Sequence, residues 1–334
     1  MTTLSVTDLS TLLSPFRSFP RRFTGQRVPG ELPLVPMSVR WSDRAKLPEG
    51  KDIRMSRGSR AAVGMGMRAF DLGFGHSPDA LRTNPDVGDP LELADAVRAG
   101  WAGFSGPGID PATWPRGPFT GLPMVHVLTL RLPEEYRRRG PQLPAIAFFQ
   151  GDGPNVDHGN PVVADPESSD PFVRGLAAAR RHPQLRLMED AIGGAFALIW
   201  LTEEEFGAGP TSPPDGRRDG ENGNGNRGTN ARDDKYPVTP VWLGTRDDPN
   251  AGLVPSASGD TGYQDRYDPA STHWHAWAEA LWGRCHLGGT TFCYQAIPAG
   301  LTPFYLELTE FGGLNFGTGN AQIDLDSDVF DWAC

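Results

Sequence analysis

Apolar positions are distributed along the chain in two patterns, and each marks a different kind of element. Short apolar runs bounded by turn residues recur at 124–132 (MVHVLTLRL), 145–149 (AIAFF) and 195–201 (AFALIWL). Runs of this length, closed by proline or glycine, predict strands buried in a sheet. Residues 304–308 and 321–325 complete the set. In the last of these, Ala321, Ile323 and Leu325 alternate with Gln322, Asp324 and Asp326, which predicts a strand with its acids on a wet face. Spacings of three and four mark helices instead. Asp89-Pro90-Leu91-Glu92 places an N-cap, a first-turn proline and an acid three positions on, and Leu93, Val97 and Trp101 continue as one stripe. Asp170-Pro171 opens a second predicted helix with Phe172, Val173, Leu176 and Ala177 on one face. Ser271 opens a third, carrying Trp274, Trp277, Ala278 and Leu281. Strands outnumber helices and short turns join them. The expected fold class is α+β, a strand-rich, mostly antiparallel sheet core with a few packed helices.

Two segments fall outside these patterns. Residues 1–60, with Pro20, Pro29, Pro33 and Pro36, read as an irregular N-terminal extension. Residues 207–234 contain alanine as their one apolar type among Gly, Asn, Asp, Arg and Pro. Such a segment cannot bury enough surface to offset its ordering entropy, so it reads as a disordered insertion. Residues 61–206 and 235–334 then form two halves of one domain. An internal echo joins the halves: PMVHVLTLRLP, a turn and LPAIAFFQGD resemble PFYLELTEF, a glycine turn and NAQIDLDSD. Each is a strand opened by proline, a turn, and a second strand ending in aspartate, which predicts two related hairpin units.

Composition narrows the classes of function. With 38% hydrophobic residues and no apolar run near 18 residues, a spanning helix is not expected. A formal charge of −10 argues against wrapping a nucleic-acid backbone. The N-terminus lacks a basic leader and an unbroken apolar segment, and three cysteines suit a reducing compartment, so the expected location is cytoplasmic.

Several of these stretches together resemble a known domain. WPRGPFTGLPMVHVLTLRLPEEY followed by LPAIAFFQGD is similar to the first half of the YwqG-like domain, a bacterial domain with no assigned reaction. HLGGTTFCYQ followed by FYLELTEFGGLNFGTGNAQIDLDSD resembles its second half, so the likeness spans roughly residues 100–334. The chain departs from the pattern in its N-terminal region, in the insertion, and at Thr290 and Thr291, where proline is usual. The resemblance implies a mixed, strand-rich fold and no particular chemistry.

Candidate chemistry therefore rests on the residues themselves. Asp324, Asp326 and Asp328 start like a calcium loop, but Val329 stands where glycine is required and the sequence stops at Cys334, before the twelfth position. The alternation favours a solvated strand face. His273, His275, Cys285, His286 and Cys293 are zinc-ligand types without zinc-knuckle spacing. A site of His275, Cys285 and His286 competes with buried cysteines and a histidine packed on tryptophans. The loop 151–161 (GDGPNVDHGNP) offers Asp152, Asp157 and His158 directly after a buried strand. There an aspartate can orient His158 as a base, or all three can hold a divalent metal, or the loop can spend these side chains on its own backbone. Gly64-Met65-Gly66-Met67-Arg68-Ala69 matches a dinucleotide fingerprint without a helix after it, and Gly75-His76-Ser77-Pro78-Asp79 lacks the second glycine of a nucleophile elbow.

The expected function is a non-catalytic binding or protein-interaction module that takes a protein or peptide partner, with no cofactor, nucleic acid or membrane. Nine Trp and 17 Phe can line a groove for such a partner. The alternative is a metal-assisted hydrolase centred on Asp152, Asp157 and His158. A module should show an exposed apolar patch or groove; a hydrolase should show those three converging.

Overall fold

The apolar runs sort their side chains onto the two sides of one sheet. The computed structural model describes residues 66–153, 163–216, 236–271 and 273–334. Eleven strands lie there: β1 (Ala69–Phe74), β2 (Ala94–Ala102), β3 (Val125–Arg131), β4 (Ala145–Gln150), β5 (Leu185–Glu189), β6 (Ala195–Leu201), β7 (Thr239–Arg246), β8 (His286–Leu287), β9 (Tyr305–Thr309), β10 (Asn320–Asp324) and β11 (Phe330–Ala333). Their order is β11-β10-β9-β8-β1-β7-β2-β3-β4-β6-β5, with every neighbouring pair antiparallel. The sheet curls into a near-barrel. At its seam, Trp332 Nε1 on β11 donates to Asp190 just after β5 at 2.7 Å, and Phe330 packs on Phe196 at 4.9 Å.

Inside the curl lie Leu72, Ile146, Phe148, Leu198, Trp200, Leu306 and Ile323 in one buried cluster. The outer face of β4 and β6 is covered as well: Ala147, Phe149, Ala197 and Ile199 pack beneath Trp114 and Met124. Burial on both faces explains why these two strands read as unbroken apolar runs. The hairpins β3–β4 and β9–β10 belong to the same sheet, with β8, β1, β7 and β2 between them. In each, an aspartate at or just past the second strand holds the loop leading into the first. Asp152 accepts from Phe119 N at 2.9 Å and Thr120 N at 3.0 Å, and Asp324 accepts from Thr302 N at 2.6 Å.

Three helical expectations meet different outcomes. Helix α1 (Pro171–Ala177) forms as predicted, with Asp170 capping Phe172 N at 2.9 Å. The helix predicted from Asp89 does not form; Val97 and Trp101 lie in β2, hydrogen-bonded between β7 and β3. The residues after the N-cap signature outweigh it. Gly100 weakens a helix, yet it lets β2 lie against β3, since a Cβ there would sit 2.0 Å from Thr129 O. The helix predicted from Ser271 shrinks to a single turn, α3 (Ala276–Glu279), because Trp274 is drawn into a bridge with Tyr267. Helix α2 (Glu203–Gly207), absent from the sequence expectations, carries a capping box of Thr202 and Glu205.

Asp324 corrects the reading of a wet strand face: it is fully buried, and Oδ1 also accepts from Asp326 N and Ser327 N at 2.8 and 2.7 Å. Part of the segment predicted as an insertion, residues 207–216, is described and packed. Gly207 ends α2, Thr211 pairs with Gly106 through both backbone groups, and Gly209 lies against Trp101. Residues 217–235 lie outside the described residues. Removing 207–234 is therefore expected to lower the melting temperature by several degrees, from loss of about 2 kcal/mol of backbone pairing and packing. The shorter deletion 217–234 is expected, from its composition, to leave it within about 2 °C. Thermal melts of both variants check this, and equal loss from both would overturn it.

Candidate functional site

Aromatic side chains that the sequence distributes over residues 267–294 meet on one face. Tyr267 leans toward Trp274 (ring centroids 6.4 Å, 50° between planes), Trp274 lies on Trp282 (5.4 Å, 22°), and Trp282 meets Tyr294 (5.4 Å). Three of these four rings reach well into solvent: Trp282 is 53% exposed, Tyr267 51% and Tyr294 39%. Phe292 lies buried beneath them, edge-on to Trp274 at 4.8 Å and to Trp282 at 5.5 Å. The guanidinium of Arg266 covers both Tyr267 and Phe292, at 5.3 and 4.9 Å. A cavity of about 230 Å³ opens beside the rings, lined by Tyr263, Arg266, Tyr267, Thr291 and Cys293 among others.

Local hydrogen bonds hold this face. Arg266 O accepts from His275 N and Asp268 N donates to His273 O, which brings Tyr267 alongside Trp274. The segment 288–293 is held from below. Gly288 and Gly289 have φ of 58° and 78°, and a Cβ at either would collide with Tyr136 Oη or with Asp248. Glycine is needed there on both counts. Next, Thr290 donates its N–H and hydroxyl to Asp248 at 3.0 and 2.9 Å. Thr291 donates its N–H to Tyr263 Oη at 2.7 Å and its hydroxyl to Glu307 at 2.8 Å. Both threonines use N–H groups that a proline would lack.

Glu307 on β9 is the anchor. It is 1% exposed and accepts from Phe292 N (3.0 Å), Thr291 Oγ1, Asn320 Nδ2 (2.9 Å) and Gln322 Nε2 (3.2 Å). His286 Nε2 lies 3.3 Å from Oε1, an electrostatic contact without hydrogen-bond alignment. Burial opposes ionisation of Glu307, but His286 and the donors from Thr291 and Phe292 outweigh it and hold the carboxyl below its ordinary range. A second buried cluster adjoins it. Arg246 joins Asp71 and Asp248, and Arg284 joins Asp71 at 2.9 Å.

The residues singled out from sequence have varied surroundings. Asp152 is 1% exposed, with both oxygens occupied by the 119–120 loop, including Thr120 Oγ1 at 2.6 Å. Asp157 and His158 lie outside the described residues. Asp326 bonds Arg138 at 3.1 Å, and Asp328 lies exposed 4.0 Å from Arg139. Among the described residues, no three His, Cys, Asp or Glu side chains group as a metal site. Cys285 and His286 point to opposite faces of the sheet: Cys285 joins the interior cluster, and His286 faces Glu307. His275 stacks on Trp277 at 5.2 Å. Burial pushes the Cys285 thiol up to about 11, and burial with Glu307 nearby pushes Cys293 up to about 12, which opposes thiolate formation at both. Sequence reasoning missed Glu307 and Asp71, because a charged residue alternating with apolar ones on a strand has the signature of a wet face, and Arg246 and Asp248, at the end of β7 and in the loop after it, because they look like ordinary turn residues.

Because the folded carboxyl of Glu307 titrates below its unfolded value, its contribution is present above the unfolded value and lost as pH falls through the folded one. Glu307→Gln is therefore expected to cost about 3 kcal/mol at pH 7. The gap from wild type should narrow on acidification to about pH 3. Urea denaturation at both pH values checks this, and a constant gap would contradict it.

Compared with protein-family models, with curated proteins and with solved structures, the chain gives no match in any of the three, so what the site does is read from its residues.

Proposed function

We propose that this chain is a YwqG-like module of the bacterial cytoplasm that binds a protein or peptide partner through the aromatic face and carries out no reaction there. The observation that supports this most is the run of rings from Tyr267 through the half-buried Trp274 and Trp282 to Tyr294, three of the four exposed. Exposed Trp and Tyr gathered in one place are the residues that dominate binding energy at interfaces. Here the rings already pack on one another, and Glu307 fixes the Phe292 segment beneath them, so little ordering remains to be done on binding. The adjoining cavity offers Arg266, Tyr263 and Thr291 as polar groups to orient a partner. The aspartate-latched hairpins β3–β4 and β9–β10 we read as copies of one unit, which accords with the sequence echo.

Peptides selected from a displayed random library on the wild-type protein are expected to bind Trp282→Ala at least about ten-fold more weakly, the loss of a central aromatic anchor. Undiminished binding to Trp282→Ala and to Tyr267→Ala would reject this face.

The competing reading is the metal-assisted hydrolase. Asp152 serves there as a buried loop latch that already accepts three hydrogen bonds, which leaves Asp157 and His158 to carry most of the chemistry. Mass-spectrometric metal analysis of protein purified without chelator is expected to show no stoichiometric metal in wild type or His158→Ala. Bound zinc, manganese or calcium lost in His158→Ala would favour the hydrolase.

A further inference from the structure

The number and direction of the strands leave an unusual seam. Eleven strands pair antiparallel throughout, so the two edges, β5 and β11, run in the same direction. Edges that run alike cannot continue the antiparallel ladder by joining each other; a strand placed between them would run antiparallel to both. Side chains, and no backbone ladder among the described residues, span the seam. Trp332 reaches Asp190 at one end, and Arg186 donates to the carbonyls of Asp324 and Ser327 at 2.8 and 2.7 Å at the other. A groove of about 710 Å³ runs along all of β5 and is also lined by Arg139, Arg181, Trp200, Asp328 and Phe330. That volume is in the range of ligand sites.

The edge of β5 is chemically open. Trp200 N donates to Gln184 O, and Leu185 stands opposite Ile199, so ladder bonds to β6 fall at Gln184, Arg186 and Met188. Leu185, Leu187 and Glu189 turn their backbone groups away from β6. Leu185 is satisfied there, by His182 O and by Arg181. Leu187 has no backbone partner among the described residues, and its side chain is 46% exposed.

Three arginines, Arg139, Arg181 and Arg186, against two acids, Glu189 and Asp328, give the groove a positive balance on a chain of net charge −10. Arg139 and Arg186 both lie over the Trp200 ring, at 4.7 and 5.5 Å. Arg139 has only the exposed Asp328 at 4.0 Å, while Arg181 and Arg186 make no ion pair among the described residues. Arg186 also keeps a buried Nε without a hydrogen-bond partner.

We propose that this seam receives a twelfth strand: an extended, acidic segment of a partner polypeptide that hydrogen-bonds the Leu187 edge and sets carboxylates against Arg139 and Arg181. Backbone bonds supply affinity in such strand addition, and alternate side chains supply selectivity. The site is separate from the aromatic face.

The probe is a fluorescein-labelled nonapeptide alternating valine and glutamate, read by anisotropy on the full chain. It is expected to bind, and to protect the Leu187 amide from hydrogen exchange. Its valine–lysine counterpart, and a version N-methylated at alternate residues, should each bind at least about ten-fold more weakly. Arg181→Glu with Arg139→Glu should weaken it by a similar factor, and because both side chains lie at the surface these variants should fold. Trp282→Ala should leave it unchanged, so failure here is distinguishable from failure of the aromatic face. The proposal is overturned if the glutamate peptide does not bind, or if binding is indifferent to N-methylation or to the arginine substitutions. It is equally overturned if the Leu187 amide is protected without peptide in a concentration-dependent way, which would mark the edge as a contact between copies of this chain.

Discussion

Loops that lie across a sheet carry N–H groups that no strand can satisfy, and a buried N–H left unpaired costs about as much as a lost hydrogen bond. In this protein carboxylates meet that demand. Asp152 takes the N–H groups of Phe119 and Thr120, Asp190 those of Ile192 and Gly194, and Asp248 those of Asn250 and Thr290. Glu307 takes that of Phe292, Glu310 those of Phe316 and Thr318, and Asp324 those of Thr302, Asp326 and Ser327. A carboxylate offers about four acceptor positions in two atoms, so one side chain can fix a whole turn. The strand-rich sheet supplies the rigid frame; these acids decide where its long connections rest.

The same device places the aromatic face. The rings of Trp274 and Trp282 pack edge-on to Phe292, and Phe292 is fixed because its N–H reaches Glu307 from above the sheet. Glu307 is in turn held by Asn320 and Gln322 from the next strand and neighbours His286 from the previous one. The chain from strand register to exposed ring is thus short. A one-residue slip of β10 against β9 would turn Asn320 and Gln322 into the apolar interior and leave Glu307 under-coordinated. Register and surface are set together.

This accounts for the parts of the fold that can be read in the sequence and the parts that cannot. Strands at 124–132, 145–149 and 195–201 are legible because apolar length and turn punctuation survive any tertiary context, and Asp170-Pro171 is legible because its cap is local. The stripe Leu93, Val97 and Trp101 misleads because a spacing of four, being even, also fits one side of a strand. β2 contains register shifts at Ala94/Val97 and Arg98/Gly100, which bring residues out of simple alternation. Glu307 and Asp71 are hidden for a different reason. Alternation reports that a strand has two unlike faces, but whether water or a loop covers the polar one depends on residues far away in sequence.

Aspartate-rich stretches such as GDG at 151–153 and DLDSD at 324–328 look like metal loops because both tasks use the same groups. A cation and a cluster of N–H donors each call for several carboxylate oxygens close to a turn. The distinction lies in where the lone pairs point. Around a metal the carboxylates of several residues converge on one point; around a turn, one carboxylate receives several backbone donors. Asp152 and Asp324 fit the second pattern, each alone and buried, while Asp326 and Asp328 turn outward to Arg138 and Arg139. The acidity of the chain is therefore partly an internal, structural quantity. Its buried acids latch loops, and that leaves the arginine-lined seam at β5 as a positive feature on a molecule of opposite net charge.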